Sequence, residues 1–465
     1  MVAAAVRAAL DRLPLERALQ LSIAALIVVT VLSQGSLVSW VETAKKLRWA
    51  ALLVFAGLAL AYAYARFDRR RVGVVQAAAG VLCLLALASA TWSAFPRLTI
   101  QRAGVFTVLV VAAGALALGA AGRTASMRRM VEAIVAGAAI VAVGGLLVLA
   151  FRHDRAIQPA TSVLAARYQG LGGGPNTAMM VLAVATPLAA YAMLEARRVV
   201  ARALALVIVV LVLGSIVASG SRGAIVGGFG GLLAFALVAP ATLRQRVVAG
   251  AVVVALLVVA VAMTRIPQPD PAAPALPSAQ ETPLERPPGN RPISPLEPPR
   301  LSDDVGRPPF GVGETTRRPR TLFGSSGRAQ AWEGAIDLGA QRPVAGYGFG
   351  TEDHVFFDRY AAFNSNTPEN SYIGLFLQVG AVGLAAFLAF LGTVLIRGVA
   401  ATPRLADAER GLAAACAAAV VAGLLLAVFQ SYLYAVGNNA AGAVWICVFL
   451  LAGLTPLRKH ATEPA

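Results

Sequence analysis

Residues 203–238 read ALALVIVVLVLGSIVASGSRGAIVGGFGGLLAFALV, two apolar runs joined by the short link Ser219-Gly-Ser-Arg-Gly223. A hydrocarbon layer of about 30 Å is crossed by roughly 20 helical residues, and a helix satisfies its own backbone polar groups in lipid. The link is too short to hold a domain. This stretch therefore predicts two successive membrane-spanning helices that reverse direction at an arginine.

The same pattern extends over most of the chain. Hydrophobic residues make up 58% and charged residues 14% of the 465 residues, a balance too apolar for a soluble domain. Hydropathy predicts twelve spans, at residues 18–38, 49–65, 72–91, 103–121, 131–151, 177–194, 203–218, 224–238, 247–264, 372–396, 411–433 and 440–457. The predicted fold class is an all-α polytopic membrane protein with about twelve transmembrane helices.

The basic residues predict the orientation of these spans. Alternate links and both termini hold 20 of the 40 Lys and Arg residues, whereas the opposite short links hold nine. Because short cytoplasmic loops hold an excess of Lys and Arg, both termini should be cytoplasmic. The net charge of +17 comes from basic clusters beside the spans, where it sets the topology and interacts with anionic membrane lipids. We therefore expect no nucleic-acid partner.

Four segments follow from this topology. Transmembrane helices 1–9 lie in residues 1–264, an extracytoplasmic loop in 265–370, transmembrane helices 10–12 in 371–457 and a cytoplasmic tail in 458–465. The chemistry should lie in the long loop and the short links beside it.

The long loop divides into two parts. Residues 266–320 hold fifteen of the 26 prolines and predict a flexible insert, a linker rather than a mobile lid. Residues 327–370 predict an ordered segment, with a short amphipathic helix beginning at Arg328 at the membrane interface and a glycine-rich turn after it.

The cysteines fall inside predicted spans. We therefore interpret Cys83, Cys416 and Cys447 as small apolar residues of the helices, and we expect neither a disulfide framework nor a metal site.

Two arginines lie in links on the predicted outer side. The planar guanidinium of Arg222 suits bidentate binding of phosphate or carboxylate, although an arginine that ends a span by snorkelling is the alternative. Arg167 opens Arg167-Tyr-Gln-Gly-Leu-Gly-Gly-Gly-Pro-Asn176, where glycines let backbone amides approach an anion or simply form a flexible turn.

Two residues are candidate general bases. Glu369 stands before the tenth span, where partial desolvation makes a carboxylate a better proton acceptor. The alternative is helix capping, with Asn370 or Ser371 as the N-cap and an acid near the positive end of the helix. His354 is the second candidate, and a solvated loop histidine is its alternative interpretation.

These motifs together resemble the bacterial O-antigen ligase and O-antigen polymerase superfamily over residues 91 to 383. The resemblance rests on Ala90-Thr-Trp-Ser93 with Arg102, Arg167-Tyr-Gln-Gly170 with Pro175-Asn176, Ser219-Gly-Ser-Arg-Gly223, Arg328 with Trp332, Gly346-Tyr-Gly-Phe-Gly350, and Glu369-Asn-Ser-Tyr372 with Gly380.

The resemblance implies a GT-C-like glycosyltransferase in the bacterial inner (cytoplasmic) membrane with an extracytoplasmic active site. It would transfer a glycan from an undecaprenyl-diphosphate-linked donor to the hydroxyl of a glycan or lipid acceptor, with no cofactor and no metal. A flippase and a chain-length regulator are candidate partners. By resemblance, Arg222 binds the diphosphate with help from Arg328 and Arg167, and the supporting residues are Ser221, Trp332, Asn370 and Tyr372.

One position departs from the family pattern. The ligases of the family have His followed by Asn or Ser where this chain has Glu369-Asn370. Glutamate can accept the same proton, so Glu369 stays the first candidate base and His354 the second. The difference argues against a lipopolysaccharide ligase in particular, and the choice between ligase and polymerase stays open.

Two other classes of protein compete with this interpretation. A multispan transporter of small anions or lipid-linked sugars would suit twelve spans, but it usually places ionisable residues or broken helices near mid-membrane, and the sequence indicates almost none. A structural scaffold would not explain why cations and a carboxylate gather on the outer links.

Overall fold

The computed structural model describes residues 14–35, 37–66, 73–159, 166–239, 241–263, 328–356, 367–435, 437–438 and 440–454. The proline-rich insert predicted at 266–320 and the tail predicted at 458–465 lie outside these residues.

The described residues form α-helices joined by short links. The helices are α1 Leu15–Leu32, α2 Val38–Ala65, α3 Val74–Ala88, α4 Pro96–Ala120, α5 Thr124–Phe151, α6 His153–Ala156, α7 Thr177–Glu195, α8 Val199–Ser219, α9 Arg222–Val238, α10 Leu243–Met263, α11 Arg328–Ala340, α12 Glu352–Val355, α13 Ser371–Ala401, α14 Asp407–Ala427 and α15 Ala441–Leu454. Two short strands, β1 (Ile157–Gln158) and β2 (Arg167–Tyr168), pair antiparallel.

Ten of the helices in the described residues are long and apolar enough to cross a membrane. The apolar helices α9, with 17 residues, and α15, with 14, are shorter. These twelve helices occur in the order and near the positions of the twelve predicted segments. The chain is therefore an all-α, multi-pass membrane protein, as its composition predicted.

The predicted boundary before the second span was wrong. Lys45, Lys46 and Arg48 were expected in a loop, but α2 begins at Val38 and includes all three. Long basic side chains can extend their charged ends toward water while the backbone stays helical, so they do not force a helix to end.

The eleventh segment was predicted to reach residue 433, yet α14 ends at Ala427. The following link is held in a non-helical path by the first residue of α13: the Ser371 hydroxyl donates to the Gln430 carbonyl at 2.6 Å, and the Tyr432 amide donates to the Ser371 hydroxyl at 2.9 Å. Hydropathy could not predict this end of the helix, because the partner Ser371 lies 59 to 61 residues away in sequence.

The bundle centre is built from small side chains. In α7 and α14, 78% of the most apolar 18-residue stretch is buried, compared with 17% in α8 and 11% in α10. A Cβ on Gly231 of α9 would lie 2.8 Å from Ala422 of α14, so these two helices approach at nearly backbone distance. Cys416 and Cys447 are buried free thiols in this centre, and Cys83 is buried in α3, as predicted.

The links collect at two opposite ends of the bundle. At one end Gly35 bridges Gly172, and the Ala94 amide donates to the Tyr347 carbonyl at 3.0 Å. At the other end, Arg129 pairs with Glu16 at 3.0 Å and Thr124 bonds to Glu409 at 2.9 Å. The first set consists of links predicted to be extracytoplasmic, and we call this the site end.

Helix α13 is broken at Gly380, where φ is 64° and ψ is −169°. The turn at residues 343–350 supplies partners for the backbone groups that the break frees. These hydrogen bonds run from Ala381 N to Pro343 O at 2.7 Å, from Tyr347 N to Leu377 O at 3.0 Å and from Gly348 N to Gln378 O at 2.8 Å. Non-helical backbone within a membrane helix is tolerated when other protein groups satisfy it.

The sequence had indicated almost no broken helix, and this expectation was wrong at Gly380. A single glycine in an apolar run gives little warning of a break. The partner turn at 343–350 lies 30 or more residues earlier in the chain, so only the folded molecule brings the two together.

Gly380→Ala should destabilise the protein, because a Cβ there would collide with the Val344 carbonyl and the backbone is left-handed. We expect a loss of about 1–3 kcal/mol in the free energy of unfolding. Thermal unfolding of the purified protein in detergent measures it.

Gly392→Ala is the matched control in the same helix, since a Cβ there meets nothing within 4 Å. It should leave the stability unchanged or raise it by about 0.5–1 kcal/mol. Equal unfolding temperatures for the two variants would contradict the structural role of the break.

Candidate functional site

Arg328 and Glu369 form an ion pair at the site end. Arg328 is the first residue of α11, and its Nε donates to Glu369 Oε2 at 2.9 Å, while Nη2 donates to the same oxygen. The two side chains are 16% and 27% exposed, so solvent still reaches the carboxylate. The predicted helix beginning at Arg328 is thus present, and its first residue meets the candidate base.

The backbone at Glu369 is unusual. Its φ is 49°, the only positive φ of a non-glycine residue in the described chain. A bulky residue in this region is strained and persists only where the surroundings impose it, which occurs most often at functional sites.

Asn370 caps the helix that follows. Its side-chain oxygen accepts hydrogen bonds from the amides of Tyr372 at 2.9 Å and Ile373 at 3.1 Å. The capping interpretation therefore holds for Asn370, while the Glu369 carboxylate is occupied by Arg328 instead of the helix end.

Trp332 holds the same segment from the other side. One turn after Arg328 on α11, its indole Nε1 donates to the Pro368 carbonyl at 2.8 Å. The Tyr372 hydroxyl donates to the Leu424 carbonyl of α14 at 2.7 Å. Both predicted supporting residues thus position the backbone around Glu369.

Arg222 opens α9 directly after a very short link. Gly220 is left-handed, with φ 59°, and ends α8. The Ser221 hydroxyl donates to the Asn176 side chain at 2.9 Å, which ties this link to the glycine-rich link before α7. A Cβ on Gly223 would lie 2.7 Å from Phe429, so the residue after Arg222 packs closely against the link after α14.

Arg167 lies in β2, and its Nη2 donates to Gln158 of the paired strand at 2.8 Å. Its buried Nε has no hydrogen-bond partner among the described residues. Burial lowers the pKa of this guanidinium, the positive charges of Arg222 and Arg328 lower it further, and the negative charge of Glu369 opposes them.

These interactions bring together four predicted residues from four separate parts of the chain. Arg167, Arg222 and Arg328 carry three positive charges, and Glu369 neutralises one of them. We call these residues the arginine cluster. Guanidinium groups held near one another in a partly buried place form a binding site for a multiply charged anion such as a diphosphate.

His354 is placed differently. It lies in α12, 45% exposed, where Nδ1 is 3.2 Å from Asp353 and its ring meets Phe95 edge-on at 5.4 Å. No hydrogen bond joins it to the arginine cluster within the described residues. No group of three or more His, Cys, Asp or Glu side chains among those residues is arranged to hold a metal ion.

Sequence reasoning missed a buried carboxyl beside this cluster. Glu352 is 4% exposed and receives hydrogen bonds from Ser431 at 2.6 Å, from Gln378 at 3.2 Å and from the Tyr434 hydroxyl. Burial raises the pKa of Glu352 to about 7, although the hydrogen bonds of Ser431 and Tyr434 oppose this shift.

A second missed contact fixes the end of the turn and the start of α12, where this carboxyl lies. Arg102 of α4 forms a bidentate pair with Asp353, with Nη2 to Oδ2 at 2.8 Å, and also donates to the Gly350 carbonyl. Two features of the sequence could have indicated these contacts. Adjacent acidic residues follow a glycine-rich turn, and the polar pair Gln430-Ser431 lies inside a predicted span.

The fold and the site define a class of protein: a multi-pass membrane protein with a cluster of arginines and a carboxylate at one end of its bundle. The family model described as O-antigen ligase matches residues 207–388. This match confirms the predicted O-antigen ligase and polymerase superfamily over these residues. The matched range includes Arg222, Arg328 and Glu369, and Arg167 precedes it. A comparison with curated proteins found no match.

Arg222→Ala and Arg167→Ala should each weaken binding of inorganic pyrophosphate to the purified protein, because each removes one of the converging guanidinium groups. A charge-assisted hydrogen bond contributes about 1.5–3 kcal/mol, so the dissociation constant should rise roughly tenfold to a hundredfold. Isothermal titration calorimetry at fixed ionic strength measures the change.

Arg97→Ala is the matched control, since Arg97 is exposed in the first turn of α4 at the same end. Equal weakening by all three substitutions would show that pyrophosphate responds to overall charge and would contradict a defined site.

Proposed function

We propose that this protein transfers a glycan from an undecaprenyl-diphosphate-linked donor to an acceptor hydroxyl at the outer face of the bacterial cytoplasmic membrane. It acts as an O-antigen ligase or as a surface-polysaccharide polymerase. The observation that supports this most directly is the arginine cluster: three guanidinium groups from separate parts of the chain interact electrostatically, and one of them pairs with the Glu369 carboxylate. The family match supports the same class of reaction.

The arginines stabilise the leaving group. When the bond between the anomeric carbon and the diphosphate oxygen breaks, negative charge collects on that oxygen. Gln158 holds the guanidinium of Arg167, and Ser221 holds the link that carries Arg222, so these groups can receive the charge with little reorganisation. Because they supply positive charge at the leaving group, we propose a metal-independent reaction.

Glu369 accepts the proton of the acceptor hydroxyl. The hydroxyl oxygen forms a bond to the anomeric carbon from the face opposite the diphosphate, its proton passes to Glu369, and the diphosphate departs on its lipid carrier. The configuration at the anomeric carbon is inverted. Partial exposure of the carboxylate leaves room for the acceptor to approach it.

Donor binding and base release are coupled in this arrangement. Without donor, Arg328 donates two hydrogen bonds to Glu369. A bound diphosphate competes for the same guanidinium, so the carboxylate becomes free to accept a proton when the donor is in place. The acceptor hydroxyl is therefore deprotonated only when a donor glycan is bound and can be attacked.

A transporter is not favoured by the break in α13. The backbone groups freed at Gly380 are taken up by the turn at 343–350, so they do not face a substrate path. A glycan acceptor, a flippase and a chain-length regulator remain the proposed partners, and the acceptor decides between ligase and polymerase.

Glu369→Gln and Arg222→Ala should each abolish glycan transfer while the protein still folds and inserts. The amide cannot accept the proton, and the missing guanidinium leaves the diphosphate charge unbalanced, at about 3–4 kcal/mol for a single lost donor. In a deletion strain complemented with each variant, surface glycan is analysed on gels and the lipid-linked glycan is extracted and quantified.

Glu333→Gln is the matched control, because Glu333 is an exposed carboxylate of α11. Full surface glycan in both site variants would refute the mechanism. Movement of lipid-linked glycan across liposomes without a new glycosidic bond would indicate the transporter instead.

Glu369→His should retain part of the activity, since the family ligases carry histidine at this place and imidazole accepts a proton. The rate of this variant should fall as pH drops below about 6.5, where imidazole becomes protonated. Initial rates between pH 5 and 8, measured with extracted lipid-linked glycan, test this expectation. An inactive but folded Glu369→His variant would argue that Glu369 has no role as base.

A further inference from the structure

The mechanism above does not use the buried Glu352, whose partner Ser431 also bonds to the segment that carries Glu369. All three of its hydrogen-bond partners can act as donors: the hydroxyls of Ser431 and Tyr434 and the amide group of Gln378. An ionised carboxylate only accepts hydrogen bonds, so this set of partners matches the ionised form. A protonated carboxyl would donate its hydrogen to one of the two hydroxyls, and that hydroxyl could then no longer donate to Glu352.

Ser431 connects this carboxyl to the catalytic segment. Its hydroxyl donates to Glu352 at 2.6 Å and accepts from the backbone amide of Asn370 at 3.2 Å. A serine hydroxyl has one proton, so donating it to Glu352 leaves only lone pairs facing Asn370. The ionised Glu352 therefore orients Ser431 as an acceptor for that amide.

The amide of Asn370 belongs to the peptide that follows Glu369. Glu369 has φ 49°, a conformation that its surroundings must hold in place. Trp332 fixes the carbonyl of Pro368, and Ser431 fixes the amide of Asn370, so the Glu369 backbone is held from both sides.

We infer that Glu352 is a positioning residue: through Ser431 its ionised carboxylate holds the peptide between Glu369 and Asn370 so that Glu369 faces the acceptor hydroxyl. This inference rests on the proposed function of Glu369. It adds a residue that never touches the substrate yet controls the geometry of the base.

The charge state of Glu352 should change near neutral pH. Burial raises its pKa to about 7; Ser431 and Tyr434 lower the pKa, Asp353 raises it, and Arg102 lowers it. These neighbours come from the link after α14, from α12 and from α4, while α13 contributes the neutral Gln378. The turnover rate should therefore rise with pH through this range as Glu352 ionises.

Three substitutions separate the parts of this network. Glu352→Gln removes the ionisation and replaces one acceptor by a donor. Ser431→Ala removes only the bridge to Asn370, and Ser431→Thr restores a hydroxyl. Tyr434→Phe removes a donor to the carboxylate, which should raise the pKa of Glu352 and move the rise in rate to higher pH.

The test measures kcat and KM against pH for glycan transfer by the full-length protein in nanodiscs, with extracted lipid-linked glycan as donor. Glu352→Gln should lose the rise near pH 7 and about tenfold or more in kcat, because small displacements of a reacting group cost large factors in rate. Ser431→Ala should lose a similar factor in kcat with little change in the KM for donor. Ser431→Thr should recover most of it, and Glu333→Gln serves as the unchanged control.

A second measurement needs no activity. Hydrogen–deuterium exchange of peptides covering residues 367–373 should be faster in Glu352→Gln and Ser431→Ala than in the original protein and in Ser431→Thr. If the original protein transfers no glycan, the proposed function fails, and this exchange still decides whether Glu352 and Ser431 hold the segment. Unchanged exchange together with an unchanged pH profile in Glu352→Gln would overturn the inference.

Discussion

The site depends on one constraint, the need to satisfy backbone groups where α13 breaks at Gly380. The turn at residues 343–350 meets that need with its own amides and carbonyls. Gly346, Gly348 and Gly350 all have positive φ, and a Cβ on them would collide with Gln378, Ser93 and Arg102 respectively. The turn is thereby locked between α4 and α13, and it determines where α11 and α12 place Arg328 and Glu352.

The energetics of the arginine cluster indicate function more than stability. A partly exposed ion pair such as Arg328–Glu369 contributes about 0–1 kcal/mol. A left-handed glutamate costs about 1–3 kcal/mol, and bringing three guanidinium groups together adds repulsion. The molecule therefore maintains an arrangement that does not stabilise it, and the buried hydrogen bonds around Glu352 help to hold that arrangement in place.

Much of the architecture was predictable because its cause is local. Apolar runs of the right length predict spanning helices wherever they occur, and the helix at Arg328 followed from helical spacing. Arg222, Arg328, Arg167 and Glu369 were predicted from motifs whose order matches a known family, and the structure brings these four together. Glu352 and Ser431 were missed because neither belongs to such a motif, and their importance comes from a contact across 79 residues.

The sequence by itself determined the class of protein, the order of its membrane helices and the residue types available at one side, since hydropathy and charge act through each segment's own composition. The tertiary structure alone decided that α2 starts early, that α14 ends early, that α13 breaks, and that a buried carboxyl stands behind Glu369. The physical reason is the same for the last three features. Backbone and side-chain polar groups within a bundle must find partners, and those partners lie far away along the chain.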